Sequence, residues 1–528
     1  MAGAKEVQYY NDRYKGSLDD KHCDILEQYI KLDKQGGCID DLLTVIYDLD
    51  DNDVDDYISD MEKYGSLTRD YPKPLGKLRD YQTLAVAYGY YAGNFILGDE
   101  VGTGKTVEVA GLVNLKFAES MQKGELYTYL LLTEKNLVTQ VRKEMVKFTG
   151  NFVTRIKDGM QGTVEKFIEN NPIDEDIKHS VVGTHHLLKT PQFIAWLEQY
   201  KARHKKFPFD MLIIDESSVL GGSSKNEIVK AYNAVAKNFK KIVFLNATPF
   251  ETNLMVFYNQ LNLLDKKMLP TKIEFEKQYC VMSWNGMFNK PTGKYKNAEE
   301  FKELVKYFYF ARTREDKGAV MEDCKGAVIL SPLSPIQKEW LKKTQLNRMI
   351  FDCPTYVEDS IEFNEENVPK LKSLRELLEN ECKSEQVLIS VHFKEAQYLL
   401  SKWLTNQGYS NRILNGETKN KERDSIIDGF KKKEYRILLT NVQKGLNFGD
   451  CNYCIFYSFD PNPSKMMQFE GRTTRSFDIK GKNVYVLCSK GQEENTLNNV
   501  VKQRAKATKD LTNVGLSVIM SILLNEGE

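Results

Sequence analysis

A chain of 528 residues has room for three or four domains of ordinary size. Its 41% apolar and 28% charged residues exclude a mostly disordered polymer. Lysine plus arginine equals aspartate plus glutamate at 74 each, so the formal charge is zero, which rules out a uniformly basic nucleic-acid coat but not opposed local fields.

In chain order, Met1–Lys15 is polar and no signal peptide is expected. Residues 38–62 then hold ten acids and no lysine or arginine, so the rest of the chain carries the compensating positive charge. Apolar residues interleave with these acids at helical spacing, which predicts a small acidic helical region over 1–65. Such a surface is a candidate for binding a protein partner or for covering a basic groove elsewhere in the chain. Pro72-Lys73-Pro74-Leu75-Gly76 punctuates its end.

Short apolar runs now alternate with amphipathic stretches: Phe95–Leu97, Tyr129–Leu132, Val181-Val182, Met211–Ile214 and Ile242–Leu245. That rhythm means buried parallel strands covered by helices, and it returns in Val387–Ile389, Arg436–Leu439, Tyr453–Phe456 and Val484–Leu487. The expected fold is therefore α/β, with two tandem parallel-sheet lobes over 66–264 and 368–510. Residues 265–367 lack the rhythm and are expected to be a helical insert and linker, and 511–528 a C-terminal tail. The apolar run Leu516–Leu524 is too short to span a bilayer, and no membrane partner is expected. Nine scattered cysteines fit a reducing compartment, cytoplasmic or nucleoid-associated, or nuclear in a eukaryote. Cys451 and Cys454 have no second pair at zinc spacing and read as packed strand thiols, and His185-His186 has no carboxylate or cysteine nearby to complete a metal site.

Four motifs carry chemistry. After the first strand comes Gly98-Asp99-Glu100-Val101-Gly102-Thr103-Gly104-Lys105-Thr106. Gly102, Thr103 and Gly104 let backbone N–H groups turn toward phosphate oxygens at a helix start. Lys105 suits the β- and γ-phosphates of ATP, and the Thr106 hydroxyl suits Mg²⁺. The general pattern wants a glycine where Asp99 stands. Met211–Ile214 ends in Asp215-Glu216, placing one carboxylate to hold Mg²⁺ through water and another to polarise the attacking water. Lys241–Leu245 runs into Asn246-Ala247-Thr248-Pro249, a strand-end turn at a carboxyl sheet edge. In the second lobe, Gln468-Phe469-Glu470-Gly471-Arg472-Thr473-Thr474-Arg475 puts two permanently charged guanidinium groups on one helical face, suited to charge developing on a transferring phosphoryl group.

Taken together and in this order, these segments resemble the core of superfamily 2 helicases, and more closely the Swi/Snf family of double-stranded DNA translocases. Asp99–Thr106 is similar to that family's D-E-x-G-x-G-K-T, and Leu78-Arg79-Asp80-Tyr81-Gln82 to its adenine-reading L-R-x-Y-Q. Leu245–Leu254 resembles L-T-G-T-P-x-x-N-x-L with Asn246 and Ala247 substituted, Arg312-Thr313-Arg314 resembles R-T-K, and Ile413–Thr418 resembles L-x-G-x-T. The stretch Gly98–Ala110 is also similar to that of bacterial RNA-polymerase-recycling members of the family. Three departures stand out. Asp215-Glu216 is followed by Ser217-Ser218 where Ala-His is usual, the Leu439–Asn447 motif is one residue short and lacks a double glycine, and no chromatin-reading module is recognisable.

The resemblance implies two RecA-like lobes, ATP with Mg²⁺ as cofactors, and double-stranded DNA as the partner. Lys105, Asp215, Glu216, Arg472 and Arg475 are the implied catalytic residues. Arg79, Gln82, Gly102, Thr103, Gly104, Lys105, Thr106 and Gln468 would bind nucleotide, with Thr106 and Asp215 at the metal. Arg472 and Arg475 would reach the γ-phosphate when the second lobe folds across it. Lys135, Gln140, Thr184, Thr440 and Asn441 are candidate backbone-directed nucleic-acid contacts. The expected activity is ATP-driven translocation on duplex DNA. Strand separation by the same core, and an ATP-gated subunit that remodels a protein–nucleic-acid complex, are the alternatives.

Overall fold

The computed structural model describes residues 78–100, 102–135, 137–150, 153–156, 162–221, 226–247, 254–266, 269–284, 289–305, 308–314, 320–343, 348–354, 358, 360–442, 448, 451–473, 479–506 and 518–525. The acidic stretch 38–62, Thr248-Pro249, Gly445–Asn447 and Arg475 lie outside them. The described residues form two compact units, the first running to Arg312 without Gly102-Thr103 of the phosphate loop, which group with the second unit from Thr313 onward.

The first unit is built on β1 (Phe95–Leu97), β2 (Tyr129–Thr133), β3 (Val153–Ile156), β4 (Ser180–Thr184), β5 (Met211–Asp215) and β6 (Lys241–Leu245). A hairpin, β7 (Cys280–Trp284) and β8 (Asn289–Tyr295), follows, and β9 (Tyr309–Phe310) returns to the sheet. The order is β3-β4-β2-β5-β6-β1-β9, with every pair parallel. Every residue of β1, β2, β4 and β6 is buried, as a sheet covered on both faces requires. Helices α1 (Asp80–Tyr91), α2 (Lys105–Gln122) and α3 (Val138–Thr149) supply part of that cover through Ala85, Val86, Val109, Val113, Val141 and Met145.

The second unit holds β11 (Lys325–Ser331), β12 (Val387–Ser390), β13 (Asn411–Leu414), β14 (Ile437–Thr440), β15 (Tyr453–Phe456) and β17 (Asn483–Ser489), while β10 (Met321–Glu322) pairs with β16 (Ile479–Lys480). The main sheet runs β11-β17-β15-β12-β14-β13, again parallel throughout. The described residues thus carry the two parallel-sheet lobes expected from the alternation.

Two expected boundaries differ. Residues 265–367 are not one helical insert: β9 completes the first sheet and β11 is the edge strand of the second. The reason is length, because two residues of β9 have no readable period. A short helix, Met349–Asp352, also belongs to the second unit. Lys370 there donates to Asp352 (2.9 Å), to Glu493 (2.8 Å) and to the carbonyl of Tyr457 (3.1 Å), all in the interior. Residues 518–525 are not a tail but a buried helix, with Val518, Ile519, Ile522 and Leu523 in the core. Its first N–H groups donate to the Glu470 carboxylate from Val518 (2.9 Å) and Ile519 (3.1 Å), a charge placed to suit a helix N-terminus.

Candidate nucleotide site

Strand register assembles the site. Leu97, Leu245 and Asp215 lie side by side on the adjacent strands β1, β6 and β5, so the phosphate loop, the Asn246 turn and Asp215-Glu216 leave one carboxyl edge together. Neighbouring strands are about 4.8 Å apart, which puts the ends of β1 and β5 roughly 10 Å from each other, a span a metal-bound triphosphate can bridge.

Gly102 and Gly104 take φ of +83° and +90°. At Gly104 a side chain is excluded twice, by the left-handed backbone and by Gln82 Nε2, which would lie 2.5 Å from an added Cβ. Gln82 accepts from the N–H of Arg79 at 2.9 Å and turns its amide toward the Gly104 carbonyl at 3.5 Å, so the adenine-type motif touches the phosphate loop directly. Arg79 is exposed. The Lys105 ammonium donates to the carbonyls of Asp99 (2.7 Å) and Glu100 (3.2 Å), and Thr106 is half-buried beside it at the start of α2.

Asp215 accepts from Thr133 Oγ1 at 2.8 Å. Burial, followed by the adjacent Glu216 carboxylate, pushes its pKa up to about 7, against the pull of Thr133 and Lys105. The oxygen donor set of Asp215 with the Thr106 hydroxyl fits a hard divalent cation, whose charge would favour the ionised carboxylate. Glu216 sits in the left-handed region at φ +53°, a cost of order 1–3 kcal/mol for a residue with a Cβ, and its N–H donates to the Leu245 carbonyl (2.9 Å).

Sequence reasoning missed the groups that hold these parts in place. Asp99, where a glycine was wanted, accepts from the N–H of Arg312 (2.8 Å) and pairs with its guanidinium (2.7 Å), which also reaches Glu108 on α2 at 3.0 Å. The three side chains are at most 1% exposed. The signal was present in part, since Arg312 belongs to the R-T-K-like segment. Ser217, at the position before the missing histidine, donates to Gln260 Oε1 (2.8 Å) and accepts from Asn246 Nδ2 (3.2 Å), tying the two substituted motifs together inside the core.

In the second unit, Gln468 is buried near the end of the helix Pro463–Glu470. Arg472 follows that helix, its carbonyl accepting from the N–H of Phe448 (2.7 Å), and the Lys482 ammonium donates to the carbonyl of Thr473. The five candidate nucleic-acid contacts divide. Thr184 and Thr440 are only 2% and 0% exposed, because strand-end threonines point into the layers, and neither presents its side chain to a ligand. Lys135 is exposed and Gln140 half-buried, the latter donating to Glu144 at 3.0 Å. Asn441 lines a small polar groove with Ser390, His392, Ser458, Asp460 and Lys465. Cys451 and Cys454 are buried free thiols, and His185 Nδ1 lies 2.7 Å from the Tyr232 hydroxyl. Among the described residues no helix is long and apolar enough to cross a membrane.

Comparison with known proteins gives two family matches, an SNF2-related domain over residues 42–387 and a helicase conserved C-terminal domain over residues 369–477. A Bacillus subtilis protein named an uncharacterized ATP-dependent helicase is 24% identical over 440 residues, 75% of this chain and 72% of that protein. The DNA repair and recombination protein RAD54B of Gallus gallus is 23% identical over 522 residues, 84% of this chain. The chromatin remodeling factor mit1 of Schizosaccharomyces pombe is 22% identical over 465 residues, 77% of this chain. The chain spans 54% and 31% of these last two relatives. With the SNF2-related match reaching from the acidic stretch through both motif-bearing strands of the first unit, the chain belongs to the SNF2-related family of ATP-dependent, helicase-like motors.

Proposed function

We propose that the chain hydrolyses ATP to translocate on double-stranded DNA. The observation that carries this reading is the register that brings the Lys105 loop and Asp215-Glu216 to one sheet edge, in a chain whose second α/β unit bears Gln468 and Arg472. Lys105 and the loop N–H groups would hold the phosphates, Thr106 and Asp215 would hold Mg²⁺, and Glu216 would orient the water. Mg²⁺ supplies neutralisation of phosphate charge. Arg472 and Arg475 would stabilise the transferring phosphoryl group from the second unit, a contribution on the order of 10³–10⁵ in rate. Basic excess supports backbone-directed contacts, with nine lysines and arginines against five acids in 411–446 and ten against five in 465–510.

The test is phosphate release with and without duplex DNA. Duplex should raise turnover, and Lys105→Ala or Arg475→Ala should abolish it. Turnover indifferent to every nucleic acid removes the translocase reading and favours the ATP-gated subunit. Displacement of a triplex-forming third strand without fork unwinding distinguishes translocation from strand separation.

A further inference from the structure

The hairpin β7–β8 leaves the first unit between the helices Lys272–Tyr279 and Ala298–Val305. A lone two-stranded hairpin is marginal in water, so its root needs anchoring. The N–H of Lys296 donates to the Tyr279 carbonyl and Asn297 Nδ2 to the Gln278 carbonyl, each at 2.9 Å. Tyr279 packs on Phe275 (5.0 Å between rings) and Phe301 (5.4 Å), Phe301 on Phe257 (5.7 Å), and Phe257 on Tyr309 (6.0 Å). The Tyr309 ring lies so close to Gly98 that any Cβ there would collide with it. An unbroken run of aromatic rings therefore joins the hairpin root to the first residue of the phosphate loop.

Exposure rises along β7, from buried Cys280 through half-buried Val281 and Met282 to exposed Ser283 and Trp284. Trp284 is 63% exposed, whereas Trp196 and Trp403 are 2% and 7%. A single exposed apolar side chain is ordinary. The charge of the segment that carries this one is not. In sequence, residues 277–298 contain Lys277, Lys290, Lys294 and Lys296 and no aspartate or glutamate, the nearest acids being Glu276, Glu299 and Glu300 at the hairpin root. An exposed indole on a hairpin whose own sequence carries lysines and no acids is the chemistry that stacks on a nucleobase while neutralising phosphates, and it favours a polyanion over a mixed-charge protein surface. The face of a base is free only where it is unpaired or splayed.

We propose that the β7–β8 hairpin is a nucleic-acid contact in which Trp284 stacks on an unpaired base at the end or junction of a duplex while the lysines meet the flanking phosphates. This rests on the nucleic-acid reading above and adds to it a structure-selective contact separate from the ATP-site machinery.

The test uses the full chain, a tailed duplex with 2-aminopurine in the tail beside the junction, a blunt duplex, and heparin as a polyanion without bases. Trp284→Ala should weaken binding to the tailed duplex about tenfold, the scale of one stacked base, and abolish quenching of the 2-aminopurine. Trp284→Phe should keep most of both. Affinity for blunt duplex and heparin, and turnover without nucleic acid, should be unchanged in either variant. Normal binding of the tailed duplex by Trp284→Ala overturns the proposal, even if a protein ligand is lost with it, and so does an equal loss on heparin. If duplex stimulates turnover and Trp284→Ala still binds tails normally, only the hairpin contact falls. If the parent chain binds no nucleic acid, both readings fall.

Discussion

Replacing Arg312 by methionine tests the buried charge cluster beside the phosphate loop. Methionine keeps much of the aliphatic stem but leaves Asp99 and Glu108 facing each other with no exposed side-chain surface. Removing one partner of a buried ion pair costs about 3–5 kcal/mol, a large share of the roughly 5–15 kcal/mol that holds a domain folded. For a unit of this size each kcal/mol moves the thermal midpoint by about 2–4 °C, so the first unit should melt about 6–20 °C lower. Trp196, buried in that unit, reports its unfolding by fluorescence in a background where Trp284, Trp340 and Trp403 are phenylalanine. The cost comes from buried carboxylates that lose the guanidinium, not from lost apolar contacts. The triple variant Asp99→Asn, Glu108→Gln, Arg312→Met should therefore recover most of the midpoint. A single variant that melts within about 2 °C of the parent, or a triple variant no better than the single, would refute the reasoning.

Two further outcomes follow from the site. The Asp215 carboxyl is raised from its ordinary 3.8 to about 7, so the folded state favours its protonated form. Its contribution to stability is full below about pH 4 and is lost as pH rises through 7. Asp215→Asn should flatten that decline in a series of urea titrations and abolish turnover, and an unchanged pH–stability curve would sink the assignment. Ser217→Ala removes one buried hydrogen bond each from Gln260 and Asn246 and should cost about 1–3 kcal/mol, read from the Trp196 midpoint. Adding Gln260→Leu should return part of it, and no recovery would argue against a hydrogen-bond origin.

The elements that carry chemistry were legible because each is local. A buried strand, three glycines and a lysine within eleven residues need no distant partner to be read, and the same holds for the strand ending in Asp215-Glu216. What stayed hidden depends on contacts far apart in the chain. Asp99 and Arg312 are 213 residues apart, and an aspartate in place of glycine has no meaning until its arginine is found. The two residues of β9 fall below any period, and the helix Val518–Asn525 read as a tail because its apolar run had no visible partner. Thr184 and Thr440 are candidate contacts by their place in motifs of the resembled family, but a motif does not say how far a side chain is exposed, and both are buried.

The pairing of β9 onto β1 also fixes an order of events during synthesis. The phosphate loop begins at Gly98, yet its strand gains its outer neighbour, and Asp99 the Arg312 guanidinium, from Tyr309–Arg312. While the ribosome is still translating the intervening codons, the nascent chain holds an open sheet edge and an Asp99 carboxylate that lacks the Arg312 guanidinium. A message truncated before codon 309 therefore encodes no finished nucleotide-holding unit, however complete its glycine loop.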